Sequence, residues 1–275
     1  MIIGNSISPF GHKKFFGGAS VMYAAFVAAN TGVTDPTQLG AIDTLINDLD
    51  GYGLVDKNTP ANSKIKFLYP FVGGTSATHA YNLIDPSKFQ ITWVGGVTHD
   101  ADGITGNGTT GYGKTGYDPD AEGVDPDSKY VFVDSKTQGS VDGIEISTNG
   151  SGTLDEIICR YIGDNLTWSS VSSGSGSIKG TTTSAEAEGF FGVSRLTSTT
   201  GFLRRDGVTL NNFTGVASAG NAPFEIYILA RNAAGSPTFF SPRNIDFAGY
   251  ADSFSTAQHD YLDAAQTTFN TALGR

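Results

Sequence analysis

The chain's 275 residues include 17 Lys plus Arg against 27 Asp plus Glu, a net charge of −10, and 36 glycines, about twice the usual share. That acidic balance argues against binding nucleic-acid phosphates or an anionic membrane surface, both of which call for Lys and Arg. The 39% of hydrophobic residues, with 18 Phe and 11 Tyr, can fill a core without any run long enough to span a bilayer, and the lone Cys159 excludes an internal disulfide and a multi-cysteine metal site.

Residues 1–18 (MIIGNSISPFGHKKFFGG) follow neither a helical nor an alternating period. His12, Lys13 and Lys14 ahead of Phe15 and an alanine-rich stretch have the outline of a secretory leader, but Gly17 and Gly18 interrupt its apolar part. We read the segment as uncleaved, and the lone cysteine fits folding in a reducing cytosol. Its large apolar side chains, Ile2, Ile3, Ile7, Phe10, Phe15 and Phe16, make a poor solvated tail and are expected to dock on another polypeptide.

Residues 19–64 read as a helical connector. A short Ala-rich helix over 19–31 precedes a second one, whose start is written in Asp35, Pro36 and Gln38: an N-cap, a proline at the first helical position and the spacing of a capping box. Leu39, Ile42, Leu45, Ile46 and Leu49 form an amphipathic stripe that Gly51 and Gly53 end.

From residue 65 onward the pattern changes to short β-prone runs between turn signals. Strands are expected at Phe89–Val94, Tyr130–Asp134, Gly143–Ser147, Glu156–Ile162, Gly189–Arg195, Gly201–Arg205 and Pro223–Arg231. Asp206–Gly207 is a hairpin turn of the type that needs positive φ. The Ser-, Gly- and Thr-rich stretch Ser169–Ser184 reads as a surface loop, and a second capping box, Ser255 with Gln258, opens a terminal helix over 255–273. The fold expected is a mainly β, antiparallel concanavalin-like (jelly-roll) sandwich over 65–275, with N-terminal helices and one C-terminal helix.

Several motifs match in letter but lack context. Gly108–Thr115 fits the phosphate-loop pattern and Gly106–Gly111 the dinucleotide fingerprint, yet Gly116, Tyr117, Asp118 and Pro119 follow where a helix must begin. Asp118, Asp120, Glu122 and Gly123 occupy the first half of a calcium loop, whose final bidentate position falls on Lys129. Solvated acidic turns are the favoured account there, as for His99, Asp100 and Asp102. No cofactor is expected beyond that weak calcium alternative. Glu186 and Glu188 would share one face of a strand, as many solvent-facing acidic pairs do, and no catalytic residue is assigned. Cys159, between isoleucines, reads as a small buried hydrophobe. Tyr112, Tyr117 and Trp168 are the aromatic side chains assigned to sugar stacking, whereas Trp93 is assigned to the core.

Taken in order, the opening MIIGNSISPF, the helix from Thr34 to Gly53, Leu68 to Thr75, Thr98–His99 with Gly106 to Tyr112, and the close at Phe247–Gly249 and Leu273–Arg275 resemble bacteriophage virion proteins that carry a laminin-G-like, concanavalin-like domain. The resemblance spans nearly the whole chain and rests on the order of these segments. It implies a non-enzymatic virion component, of fibre or capsid-decoration type, assembled in the host cytoplasm. It also implies contacts with other virion proteins through residues 1–18, and a homo-oligomer, a trimer by analogy with fibres. Glucanases of this fold carry E-x-D-x-x-E on one strand, and the nearest approach here, Glu186 to Phe191, lacks both the Asp and the second Glu. A carbohydrate-binding receptor module is the alternative function, a glycan hydrolase the third.

Overall fold

Capping chemistry fixes where the helices start. Ser20 accepts the N–H of Tyr23 at the head of α1 (Val21–Ala29), and the Asp35 carboxylate accepts those of Thr37 and Gln38 at the head of α2 (Pro36–Gly51). Gln38 does not close the expected box; its amide oxygen accepts the Gly73 N–H at 3.0 Å and ties α2 to the sandwich instead. In α3 (Thr256–Leu273) both halves of the Ser255–Gln258 box are formed, and Gly274 ends the helix in the left-handed region at φ 73°. The computed structural model describes residues 19–150, 152–174 and 178–275, so the docking residues Ile2, Ile3, Ile7, Phe10, Phe15 and Phe16 lie outside the described residues.

The β body is a sandwich of two sheets. The first runs Val208–Thr214, Thr200–Arg205, Gly189–Arg195, Lys129–Ser135, Asn244–Ala251, Gly103–Thr105, Thr98–Asp100, with Ile65–Tyr69 also paired to Asn244–Ala251. The second runs Ile178–Thr181, Leu166–Ser173, Thr153–Ile158, Ile146–Gly150, Tyr227–Ile228, Tyr112–Lys114, Thr92–Val94. Neighbouring strands along both orders are antiparallel. A ribbon of Arg231–Ala233 and Ser236–Thr238 joins the second sheet through a parallel pairing of Ala233 with Asn149.

Strand Lys129–Ser135 shows how one sequence serves two cores. Val131 and Val133 point between the sheets, while Tyr130 and Phe132 point outward beneath the helices. There they meet Ile42, Leu45, Ile46 and Leu49 of α2 and Leu262, Ala265 and Phe269 of α3. The helices of 19–64 thus lie on the sandwich and share an apolar core with it. Tyr52 and Tyr261 stack with ring centroids 3.8 Å apart where α2 ends against α3. Among the described residues no helix is long and apolar enough to cross a membrane.

The turn at Asp206–Gly207 takes positive φ at both residues, 47° and 75°, as its sequence demands. Two local expectations are corrected. Ser169–Ser184 is not a loop, because Leu166–Ser173 and Ile178–Thr181 are strands in which Ser169, Ser170, Ser172 and Ser173 are all buried. Two of them are satisfied locally: the Ser169 hydroxyl donates to the Ile178 carbonyl and Ser170 to that of Gly174. Glu186 lies in a short helical turn, Ala185–Ala187, rather than on a strand, so it and Glu188 do not share a face. Glu186 accepts the Thr183 N–H and Glu188 the Gln138 amide.

Candidate functional site

The helices cover the outer face of the first sheet, and the second sheet's outer face is where a surface cleft opens. Alternation decides what faces it. Trp168 is opposite Ile158 on one side and Lys179 on the other, so these three share the outer surface, while Ser169, Ile157 and Ile178 point inward. The ribbon that carries Arg231 and Phe239 folds back over the same surface. The cleft, about 180 Å³, has Ile144 and Ile158 at its base and Tyr161, Trp168 and Phe239 as its aromatic walls. Asp142 and Arg231 supply its charges.

Each wall is held. The Trp168 indole N–H donates to both carboxylate oxygens of Asp164 at 2.9 and 3.0 Å, Lys179 stands 3.7 Å above the ring, and Tyr161 lies 4.7 Å away at 48°. Asp164 sits below the ordinary carboxylate range: its slight desolvation acts upward but is outweighed by hydrogen bonds from Lys179, the Leu166 N–H and Trp168. Phe239 is 44% exposed and adopts φ 49°, a left-handed conformation costly for a bulky side chain. The Ile144 N–H donates to its carbonyl and the Arg231 guanidinium lies 4.7 Å from its ring. Arg231 is itself fixed by Glu156, a fully buried carboxylate, through two hydrogen bonds at 3.1 and 2.9 Å. Ile162, 57% exposed, adjoins Tyr161 and extends the apolar surface beyond the cleft. Fixed rings over an apolar floor with a few polar groups are what a binding site for an amphipathic ligand requires.

Of the aromatic residues assigned to stacking, only Trp168 reaches this cleft. Tyr117 is 1% exposed and packs edge-on against Phe67 and Phe89 within the core, and Tyr112, 6% exposed, lies under Tyr227 and Phe240. Neither presents a face to solvent, which corrects that assignment; burial drives the Tyr117 phenol pKa well upward. Tyr161, Phe239 and Arg231 escaped the sequence reading. Tyr161 and Arg231 fall at the ends of the expected strands Glu156–Ile162 and Pro223–Arg231 and Phe239 lies outside any expected strand, so nothing local marked them as neighbours.

The remaining candidates do not assemble a site. The acidic loop is a capped turn: the Asp118 carboxylate accepts the N–H groups of Asp120 and Ala121, and Glu122 is exposed. Among the described residues no group of three His, Cys, Asp or Glu side chains could hold a metal ion. Tyr112–Lys114 is a strand of the second sheet, so the glycine-rich loop before it runs into a strand and not into a helix. Cys159 is fully buried.

His79 and His99 approach with their Nδ1 atoms 3.1 Å apart, but the His79 Nε2 accepts the Gly74 N–H. That fixes the His79 proton on Nδ1, where it donates to His99, and neither of those two atoms is left for a metal. A larger hollow of about 340 Å³, lined by Asp100, Asp102, Lys136, Asn244 and Arg275, carries no aromatic wall. Its cations serve the fold. Lys136 bridges the buried pair Asp134 and Asp246, while Arg275 donates to the carbonyls of Pro70, Phe71 and Ala101. Burial raises the carboxyl pKa of both members of that pair, with the charge of Asp246 adding to the effect on Asp134.

No protein-family model and no curated protein matches the sequence. Solved structures do match in shape. One is domain 4 of AbnA, an extracellular GH43 arabinanase of Geobacillus stearothermophilus in complex with arabinotriose, at 14% identity over 72% of this chain and 98% of that domain, with a TM-score of 0.50. Another is Trypanosoma rangeli sialidase in complex with sialic acid, at 11% identity and a TM-score of 0.54. A mutant of that sialidase displaying trans-sialidase activity gives 12% identity and 0.53. The match covers 84% of this chain but 39% of each sialidase chain. The likeness is one of fold. It makes the mainly β, two-sheet sandwich read from the sequence the architecture of this chain.

Proposed function

We propose that this chain is a non-enzymatic structural component of a phage virion whose displayed β-sandwich binds carbohydrate in the Tyr161–Trp168–Phe239 cleft. The observation that carries the binding reading is Trp168, locked by Asp164 and Lys179 at the edge of an apolar-floored cleft. A sugar ring presents an apolar C–H face to such a wall and hydroxyls to the groups around it. The fold shared with an arabinanase domain that holds arabinotriose supports this reading. A non-enzymatic role is supported by the cleft's chemistry. Asp142 is the one carboxylate among its lining residues, and most glycosidase families use two, about 5–10 Å apart. The virion role rests on the sequence resemblance and on the apolar residues 1–18.

Trp168→Ala tests the binding reading. It should weaken the best binder on a glycan array by roughly thirty-fold, the effect of removing a binding hot spot worth about 2 kcal/mol. The variant should still fold cooperatively, because Trp168 is half-buried on the outer face of its sheet and not in the core between the sheets. An array silent for the whole chain, or a variant that binds as before, would sink it. Sugar release from any array member would overturn the non-enzymatic part. Deleting residues 1–18 should yield a folded chain that no longer enters particles, and particles still carrying the truncated chain would remove the docking role.

A further inference from the structure

We infer that the cleft takes a single uncharged sugar ring and rejects anionic sugars such as sialic and uronic acids. This rests on the carbohydrate-binding reading above and adds the ligand's charge to it. Three observations carry the inference. First, both cations at the cleft already have a carboxylate. The Lys179 ammonium is 3.1 Å from Asp164, and Arg231 is held by Glu156. An acidic sugar that drew Arg231 away would leave the fully buried Glu156 carboxylate without its partner, the costly way to break a buried pair, and one that shared the guanidinium would meet a charge already neutralised.

Second, with those cations matched, the charge left over on the lining is the exposed Asp142 carboxylate, in a chain whose net charge is −10. A sugar carboxylate would meet repulsion there, whereas neutral hydroxyls can donate to the same oxygens. Third, a cleft of about 180 Å³ falls below the roughly 300–1,000 Å³ of pockets that hold drug-sized ligands, which suits one sugar ring better than two. Longer glycans would lie across the cleft with one ring seated and the rest over Ile162 and the exposed edge of Phe239.

The test prints oligosaccharides in matched pairs, each neutral glycan beside its sialylated or uronic-acid counterpart, and probes them with the full chain. Binding is expected to the neutral members, with the acidic partner at least ten-fold weaker. Asp142→Asn should weaken the best neutral binder about ten-fold, the effect of losing a charged hydrogen-bond acceptor. Asp142→Lys should raise the acidic partner above its wild-type signal. Acidic members bound as well as or better than the neutral ones would overturn the inference and leave the carbohydrate reading standing. So would an Asp142→Asn variant that binds as tightly as the wild type. Silence from both sets would strike the carbohydrate reading itself and take this inference with it.

Discussion

Lys129→Met is expected to destabilise the fold by about 3–5 kcal/mol, because it strands a carboxylate between the two sheets. The Lys129 ammonium lies 3.0 Å from Asp155, and both side chains are fully buried. Asp155 also accepts the Ser172 N–H at 2.6 Å and the Tyr250 hydroxyl at 3.1 Å, so it links strands of both sheets. With the lysine gone, the charge keeps two neutral donors but loses its counterion in a low-dielectric setting. Adding Asp155→Asn to Lys129→Met should recover more than half of the loss. The amide stays polar toward Ser172 and Tyr250, and the buried charge disappears. Urea unfolding of both variants at neutral pH checks this. A single variant costing less than about 1 kcal/mol, or a double variant no better than the single, would refute it.

The candidate cleft and this ion pair lie on opposite faces of one sheet, and the same alternation produces both. Along Thr153–Ile158, Asp155 and Ile157 point into the core, while Glu156 and Ile158 point out toward the cleft. A slip of one residue would put Glu156 in the core and Asp155 outside, and would lose both. The buried Lys129–Asp155 pair is therefore also a register device, favouring the pairing in which the charges meet.

Local chemistry was legible in the sequence, and assembly was not. Asp35, the Ser255–Gln258 box and the stripes of α2 and α3 act within one turn or one helix face, so they declare themselves in a short window. Asp206–Gly207 does the same for its hairpin. Leu166–Ser173 was missed because its serines, a loop composition when read locally, are buried by strands on either side, with Ser169 and Ser170 donating to backbone carbonyls. The cleft was legible only through Trp168. Tyr161 follows a bend in the chain, while Arg231 and Phe239 arrive on a ribbon far along it, and the Ala233–Asn149 bridge that seats that ribbon has no sequence signature. Tyr112 and Tyr117 misled for the converse reason. They flank glycine-rich turns that look exposed, yet the turns fold them beneath the second sheet's neighbours.

His259→Phe is expected to remove one loss of stability from the acid side of the pH profile. His259 opens α3 and is fully buried in a box of Tyr130, Phe202 and Phe254, with ring centroids 4.4, 4.6 and 5.3 Å away. Its pKa is pushed down to about 3, chiefly by burial, then by the charge of Arg204 and more weakly by that of Lys64; the Phe254 backbone pulls the other way. The folded ring therefore stays neutral while the unfolded one protonates below about 6.5. Its contribution is complete above that value and is lost as pH falls toward 3. At pH 5 the loss is about 2 kcal/mol, from roughly 1.5 units at 1.36 kcal/mol each.

Asp263, whose pKa burial raises to about 7, works in the opposite sense, since its folded form holds a proton that the unfolded chain releases. Asp263 and Asp260 both contact Arg204, and all three remain in the variant, so their share cancels when the two proteins are compared. The difference in unfolding free energy between pH 7.5 and pH 5 should be smaller by about 2 kcal/mol in His259→Phe than in the wild type, read from urea unfolding at each pH. Equal differences would mean that the ring is protonated within the folded protein, and that the aromatic box does not exclude its charge.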